Sequence, residues 1–269
     1  MYHRLLSALL VLGTCALQLN AQTTPPANLY VFPLMVDGTS GGFSFRSTLK
    51  VASTDAKTPL ACVFSERNVS ASMTGTDGVL NAYPAFVVDA GFSPLSQIRL
   101  IQELNLPSDI WHTSAQSPLK SGYAELSCPN TVQTQLQFSY FDSSNNKIGE
   151  ATIPPATKGN SFQFQVDTRD GTRLGFSLTN DSATLGLFKV IARDQFGQVV
   201  TFNFNDTIQA FSQVSKFIDE ELTQLPPNFV GTVEIVGVPG SQSYAVGLQF
   251  TGSVFTTVQP LVRDTPLPF

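Results

Sequence analysis

The sequence predicts an all-β fold: two antiparallel β-sandwiches in tandem, with one short helix in the second. Three observations lead there. Apolar and polar residues alternate along many short runs, turn-forming pairs separate those runs, and the second half of the chain repeats positions of the first. Alternation with period two puts every apolar side chain on one face of a strand. Half-buried strands at short intervals are the pattern of sandwiched antiparallel sheets.

The elements follow in chain order. Met1–Arg4 is a short basic start, Leu5–Leu12 an apolar run broken only by Ser7, and Leu19-Asn20-Ala21 precedes Gln22. That layout predicts a secretory signal peptide over residues 1–21, too short in its apolar part to span a bilayer. A lipoprotein leader is the rival reading, because Leu12-Gly13-Thr14-Cys15 approaches a lipid-attachment box, with Thr14 where a smaller residue is usual. The first sandwich is expected over 22–152 and the second over 159–269. The join falls within Lys147–Ser161, which holds Pro154-Pro155 and Gly159.

Individual strands read plainly. Leu136, Phe138 and Tyr140 alternate with Gln135, Gln137 and Ser139. Phe162, Phe164 and Val166 alternate with Gln163, Gln165 and Asp167. Val200, Phe202 and Phe204 alternate with Thr201 and Asn203, and Val246, Leu248 and Phe250 with Gly247, Gln249 and Thr251. In each run the apolar set is expected to face the core. Turns are expected at Asp37-Gly38, Ser143–Asn146, Asp170-Gly171 and Pro239-Gly240. One segment differs: Phe211, Val214, Phe217, Ile218 and Leu222 recur at three- and four-residue spacing before Pro226-Pro227. This predicts an amphipathic helix over Ser212–Thr223, with Phe217, Ile218 and Leu222 inward and Asp219-Glu220-Glu221 on its solvated face.

The internal repeat aligns Gly122 with Gly231 and Glu125 with Glu234 at an offset of 109 residues, and Leu136-Gln137-Phe138 with Leu248-Gln249-Phe250 at 112. Upstream, Phe32…Asp37-Gly38 echoes Phe164…Asp170-Gly171, and Leu49…Ser53 echoes Phe176…Asn180. A repeat of this length indicates duplicated domains. The first half carries an extra stretch within Asn68–Lys120.

Phe32-Pro33…Asp37-Gly38, Ser121–Glu125, Phe141-Asp142, and the closing Phe217-Ile218…Phe229…Gly231…Phe255-Thr256-Thr257 resemble a set of uncharacterised exported bacterial proteins. The resemblance covers most of the chain after the leader. It implies paired immunoglobulin-like β-sandwiches and an export route, and it transfers no catalytic or binding residue.

Chemistry is sparse. The chain has 15 basic and 20 acidic residues, a net charge of −5 that becomes −6 once the leader with Arg4 is cut. Scattered positive charge on an acidic chain argues against a nucleic-acid partner. No segment after the leader reads as a transmembrane helix. Gly38-Thr39-Ser40-Gly41-Gly42 matches the G-x-S-x-G pattern, but a nucleophile elbow is followed by a helix, and Phe43, Phe45 and Leu49 predict a strand. Ser40 therefore reads as part of a hairpin loop.

Asp109, Trp111 and His112 are the weak ligand-binding candidates, since an indole offers a flat apolar face. The alternative for the histidine is a surface or structural residue. No metal site and no cofactor is expected: His and Cys are not clustered, and Asp167–Gly171 lacks the acidic set of a calcium loop. The terminal Phe269 would suit an outer-membrane barrel, but Pro266 and Pro268 break the required strand.

Cys62 and Cys128 are the cysteines that remain after cleavage, and export would permit a disulfide between them. The other reading is two buried thiols. Together these features lead to an expected non-enzymatic module of the periplasm, cell surface or extracellular space. It would serve adhesion, matrix assembly or accessory binding, with an envelope or matrix protein or glycan as partner. The rival is a carbohydrate-binding or hydrolytic protein with its site in 68–120, where Tyr83, Phe86, Phe92, Trp111 and His112 lie.

Overall fold

The computed structural model of the chain describes residues 28–53, 62–68, 82–83, 108–112, 119–237 and 243–266. The expected leader, Met1–Ala21, and the terminal Phe269 lie outside the described residues. The fold is nearly all strand, in antiparallel sheets. In the first half run β1 (Asn28–Ser40), β2 (Phe43–Ser53), β3 (Val63–Asn68), β4 (Ala82–Tyr83), β5 (Ser108–His112), β6 (Lys120–Cys128), β7 (Val132–Phe141) and β8 (Lys147–Ile153). In the second run β9 (Ser161–Asp167), β10 (Thr172–Asn180), β11 (Gly186–Asp194), β12 (Val199–Ile208), β13 (Ser212–Phe217), α1 (Ile218–Glu221), β14 (Val230–Gly237), β15 (Ser243–Thr251), β16 (Val254–Val258) and β17 (Leu261–Arg263).

The first eight strands form one sheet in the order β4-β3-β6-β1-β2-β7-β8, with β5 on the free side of β2. Strands β1 and β2 pair only at their shared tip, Gly38–Ser40 against Phe43–Phe45. That tip links two layers, β4-β3-β6-β1 and β5-β2-β7-β8. The second half has the same strand order in two separate sheets: β12-β11-β14-β9 with β17 added at the edge, and β13-β10-β15-β16. Gly122 lies on β6 opposite Met35 of β1 and Asn68 of β3. Gly231 lies on β14 opposite Val166 of β9 and Asp194 of β11. Both glycines thus occupy the third strand of their layer. At Gly231 an added Cβ would stand 2.1 Å from the Arg193 carbonyl oxygen, so the close strand approach there requires glycine.

The β1 strand carries a bulge between Phe32 and Met35, where Pro33 sits. Proline has no N–H for the ladder, which confines it to bulges and edges. Its carbonyl accepts hydrogen bonds from Ser177 Oγ (2.6 Å) and Thr179 Oγ1 (3.3 Å) of β10, on the other half of the molecule.

Two main cores result. Phe162, Phe164, Leu174, Phe176, Leu178, Val233 and Ile235 fill the second sandwich. The first core holds Phe32, Leu49, Leu126, Leu136, Phe138 and Ile153, and it also takes in Val246, Leu248 and Phe255 from β15 and β16. The expected inward face of β15 is therefore reversed. Leu49 stands opposite Leu136, but Phe176 stands opposite Gly247. With Leu49 matched to Phe176, the counterpart of Leu136 is Gly247, one residue before Leu248. A one-residue slip flips every side chain to the other face. Val246, Leu248 and Phe250 consequently point out of their own sandwich and into the first half, while Ala245 and Gly247 face the second core.

Two further expectations are corrected. Val200, Phe202 and Phe204 were expected inward; they are 39%, 51% and 38% exposed, and Thr201 at 8% is the buried one. The periodicity of β12 is that of a strand, on the opposite face. The expected helix over Ser212–Thr223 is strand through Phe217, and α1 has four residues. Six consecutive pairs join β13 to β10, from Asn180↔Ser212 to Gly175↔Phe217. These tertiary ladder bonds outweigh a helical pattern too short to be stable by itself. Ile218 and Leu222 do enter the second core, and Asp219 and Glu220 are exposed. Phe217 lies outside that core and Glu221 is buried, both contrary to expectation.

A cleft between the two halves

The outward face of β13-β10-β15 meets the first half incompletely and leaves a cavity of about 370 Å³. One wall comes from Leu34 and Val36 on β1, Phe45 on β2 and Phe138 on β7. The other comes from Gly175 and Ser177 on β10, Ser215 and Phe217 on β13, and Val246, Leu248 and Phe250 on β15. Hydrocarbon dominates because alternation on β15 sends three apolar side chains outward, and Gly175 leaves room between them.

The neighbouring contacts join the two walls around the cavity. Phe255 packs against Phe138 (ring centroids 5.0 Å), Tyr140 (5.4 Å) and Phe250 (5.4 Å). The Tyr140 hydroxyl donates to the Ser253 carbonyl, Tyr123 Oη donates to Asp181 Oδ1 at 2.9 Å, and Thr257 Oγ1 donates to the Thr152 carbonyl at 2.6 Å. The Ala156 N–H donates to the Val31 carbonyl at 2.8 Å, anchoring the connection between the halves back onto β1.

The mouth is charged, and its charges are matched. The Arg173 guanidinium lies 3.8 Å from the centroid of the Phe217 ring. It donates to Asp219 (2.9 Å) and Glu220 (3.0 Å), and these carboxylates keep it firmly protonated. Lys216 reaches the other way, to Glu221 Oε2 (2.6 Å) and Asp206 Oδ2 (3.1 Å). Asn203 Nδ2 bridges the same two carboxylates at 2.6 and 3.3 Å. Burial, then the neighbouring Asp206, pushes the Glu221 carboxyl up, and the hydrogen bond from that carboxyl holds Asp206 down. Burial lowers Lys216, but its two carboxylate partners outweigh it and leave the amine raised. This cluster ties α1 to β12 and so closes the open edge of the second sandwich beside the cavity mouth.

The residues singled out from sequence are placed as follows. Asp109, Trp111 and His112 are on β5, opposite Lys50, Leu49 and Thr48 of β2. Their side chains lie outside the described set, as do Phe86 and Phe92. Ser40 ends β1 at a two-residue turn, Gly41-Gly42, with φ of 60° and 83°. Strand β2 follows at once, so Ser40 stands in a hairpin. Asp167 pairs with Arg169, whose side chain and N–H hold the carboxyl down at about 2. Among the described residues no group of three or more His, Cys, Asp or Glu side chains could hold a metal ion. None of the helices among them is long and apolar enough to cross a membrane. Cys62 and Cys128 are joined by a disulfide, with Cα atoms 4.1 Å apart. Val63 pairs with Ser127, so the bond links neighbouring strands of one layer.

Sequence reasoning missed the cavity because it placed Phe217, Val246, Leu248 and Phe250 in the core of their own half. A signal was present: the residues alternating with them on β15 include Ala245 and Gly247. Small residues where polar ones would face water indicate a strand covered on both sides. No family model, curated protein or solved structure matches the chain.

Proposed function

We propose that this protein is an exported, non-enzymatic interaction module of the cell envelope or extracellular space, built from two copies of one sandwich, and that it holds its ligand in the cleft between them. The observation that carries the reading is the apolar cavity of about 370 Å³ walled by both halves. Sites of this kind are concave, mostly apolar and preferentially placed between domains. The matching strand orders support duplication, with Gly122 and Gly231 in equivalent strands. Export is supported by the leader-like Met1–Ala21 and by the Cys62–Cys128 disulfide, a bond that persists in oxidising compartments.

The test is binding of N-phenylnaphthylamine, an uncharged dye that brightens in apolar surroundings, to the purified chain without residues 1–21. Saturable binding of one dye per chain is the expected result. Fluorescence that rises without saturation, or no rise at all, would overturn the reading.

A further inference from the structure

Resting on that reading, we infer that the cleft takes a single hydrocarbon chain of a soluble amphiphile and leaves the polar end of that molecule in water at the mouth. The argument is one of hydrogen-bond accounting. A pocket selects a polar ligand by offering it polar side chains that lack other partners. Here those of the second wall are already engaged. Ser177 Oγ donates to the Pro33 carbonyl and accepts from Gln213 Nε2 at 2.6 Å. Ser215 Oγ accepts from the same amide. At the mouth, Glu220 is matched by Arg173 and Lys216 by Glu221 and Asp206. A ligand charge would gain only what those pairs gave up. Beyond the single Ser121 hydroxyl of β6, what the cleft offers is hydrocarbon: Leu34, Phe45, Phe138, Val246, Leu248 and Phe250. Its gain on binding is therefore set by apolar area removed from water.

Two consequences separate this from a charged or polar ligand. Affinity should follow chain length, rising by up to about fourfold per methylene until the cavity is filled. Affinity should also be indifferent to the headgroup. The cleft belongs to one molecule and is walled on both sides, so the chain is held singly by the protein and not while still embedded in a bilayer leaflet.

The experiment displaces N-phenylnaphthylamine with hexanoate, octanoate and decanoate, and then with decanol and decylamine, all below their aggregation limits. The expected result is displacement that strengthens with length, with the three ten-carbon compounds agreeing within about threefold. Ser215→Trp and Gly175→Leu would obstruct the cleft from the exposed edge strand and from its floor. Ser215 is exposed, and a Cβ at Gly175 would have the Phe217 and Phe250 rings as its nearest neighbours, at 3.6 Å, an ordinary van der Waals contact. Each variant should weaken decanoate at least tenfold with an unchanged circular dichroism spectrum. Dye binding without displacement by the acyl series would overturn the inference and leave the proposed binding function standing. A preference above tenfold for one headgroup charge, full binding by both folded variants, or co-flotation with phosphatidylcholine vesicles would also overturn it. Absence of dye binding would instead remove the reading on which it rests.

Discussion

Phe255 is where the two halves depend on each other most directly, and Phe255→Ala tests that dependence. The side chain belongs to β16 of the second half yet is buried in the first core, in contact with Phe138, Tyr140 and Phe250. A buried phenylalanine withdraws about 150–250 Å² from water. At about 25 cal/mol/Å² that is roughly 4–6 kcal/mol, an upper bound because the unfolded chain is itself partly collapsed. Truncations of buried rings cost about 3–5 kcal/mol, so a loss of about 3–4 kcal/mol is expected here. Equilibrium unfolding in urea, followed by far-ultraviolet circular dichroism and by intrinsic fluorescence, measures it. A double-mutant cycle with Phe138→Leu should return a coupling of about 0.5–1.5 kcal/mol, the range for an aromatic pair. A loss below about 1 kcal/mol, or a coupling indistinguishable from zero, would refute the claim that the first core is completed by the second half.

Two further outcomes follow from local chemistry. The Cys62–Cys128 bond closes a separation of 66 residues, so replacing both cysteines with alanine should cost up to about 4 kcal/mol, and denatured protein without reductant should show no titratable thiol at these positions. Two reactive thiols would refute the bond. Asp167 is a carboxylate held down to about 2 from 3.8 by Arg169. A group depressed in the folded state adds stability above its unfolded value and loses it as pH falls through its folded one. Asp167→Asn should therefore melt below the parent at pH 6, with the gap closing between about pH 4 and pH 2; a gap that persists at pH 2 would contradict the pairing.

Local patterning established many of the strands and the turns at Ser143–Asn146 and Asp170-Gly171. Asp37-Gly38, expected as a turn, lies within β1 because the chain reverses only at Gly41-Gly42, and Pro239-Gly240 lies outside the described residues. Phe162, Phe164 and Val166 face a core as their alternation requires, and Gly41-Gly42 turns the chain because both residues adopt positive φ. Side chains that alternate in one strand declare their own period, and glycine declares a backbone that other residues resist. The repeat aligned Gly122 with Gly231, which lie on matching strands, and at Gly231 the close strand approach constrains the residue type itself.

Which face each strand turns inward was a tertiary decision. Alternation says that two faces differ, not what covers them. On β12 the apolar face is the exposed one, and on β15 it is buried under the other half of the molecule. Ser212–Phe217 carried a helical spacing that gave way to six ladder pairs with β10, a partner more than thirty residues away in the chain. The cleft was illegible for the same reason. Ala245 and Gly247 mark β15 as covered on both faces, but the walls come from β1, β2 and β7 on one side and β10, β13 and β15 on the other, and the gap left between them follows only from how those strands pack.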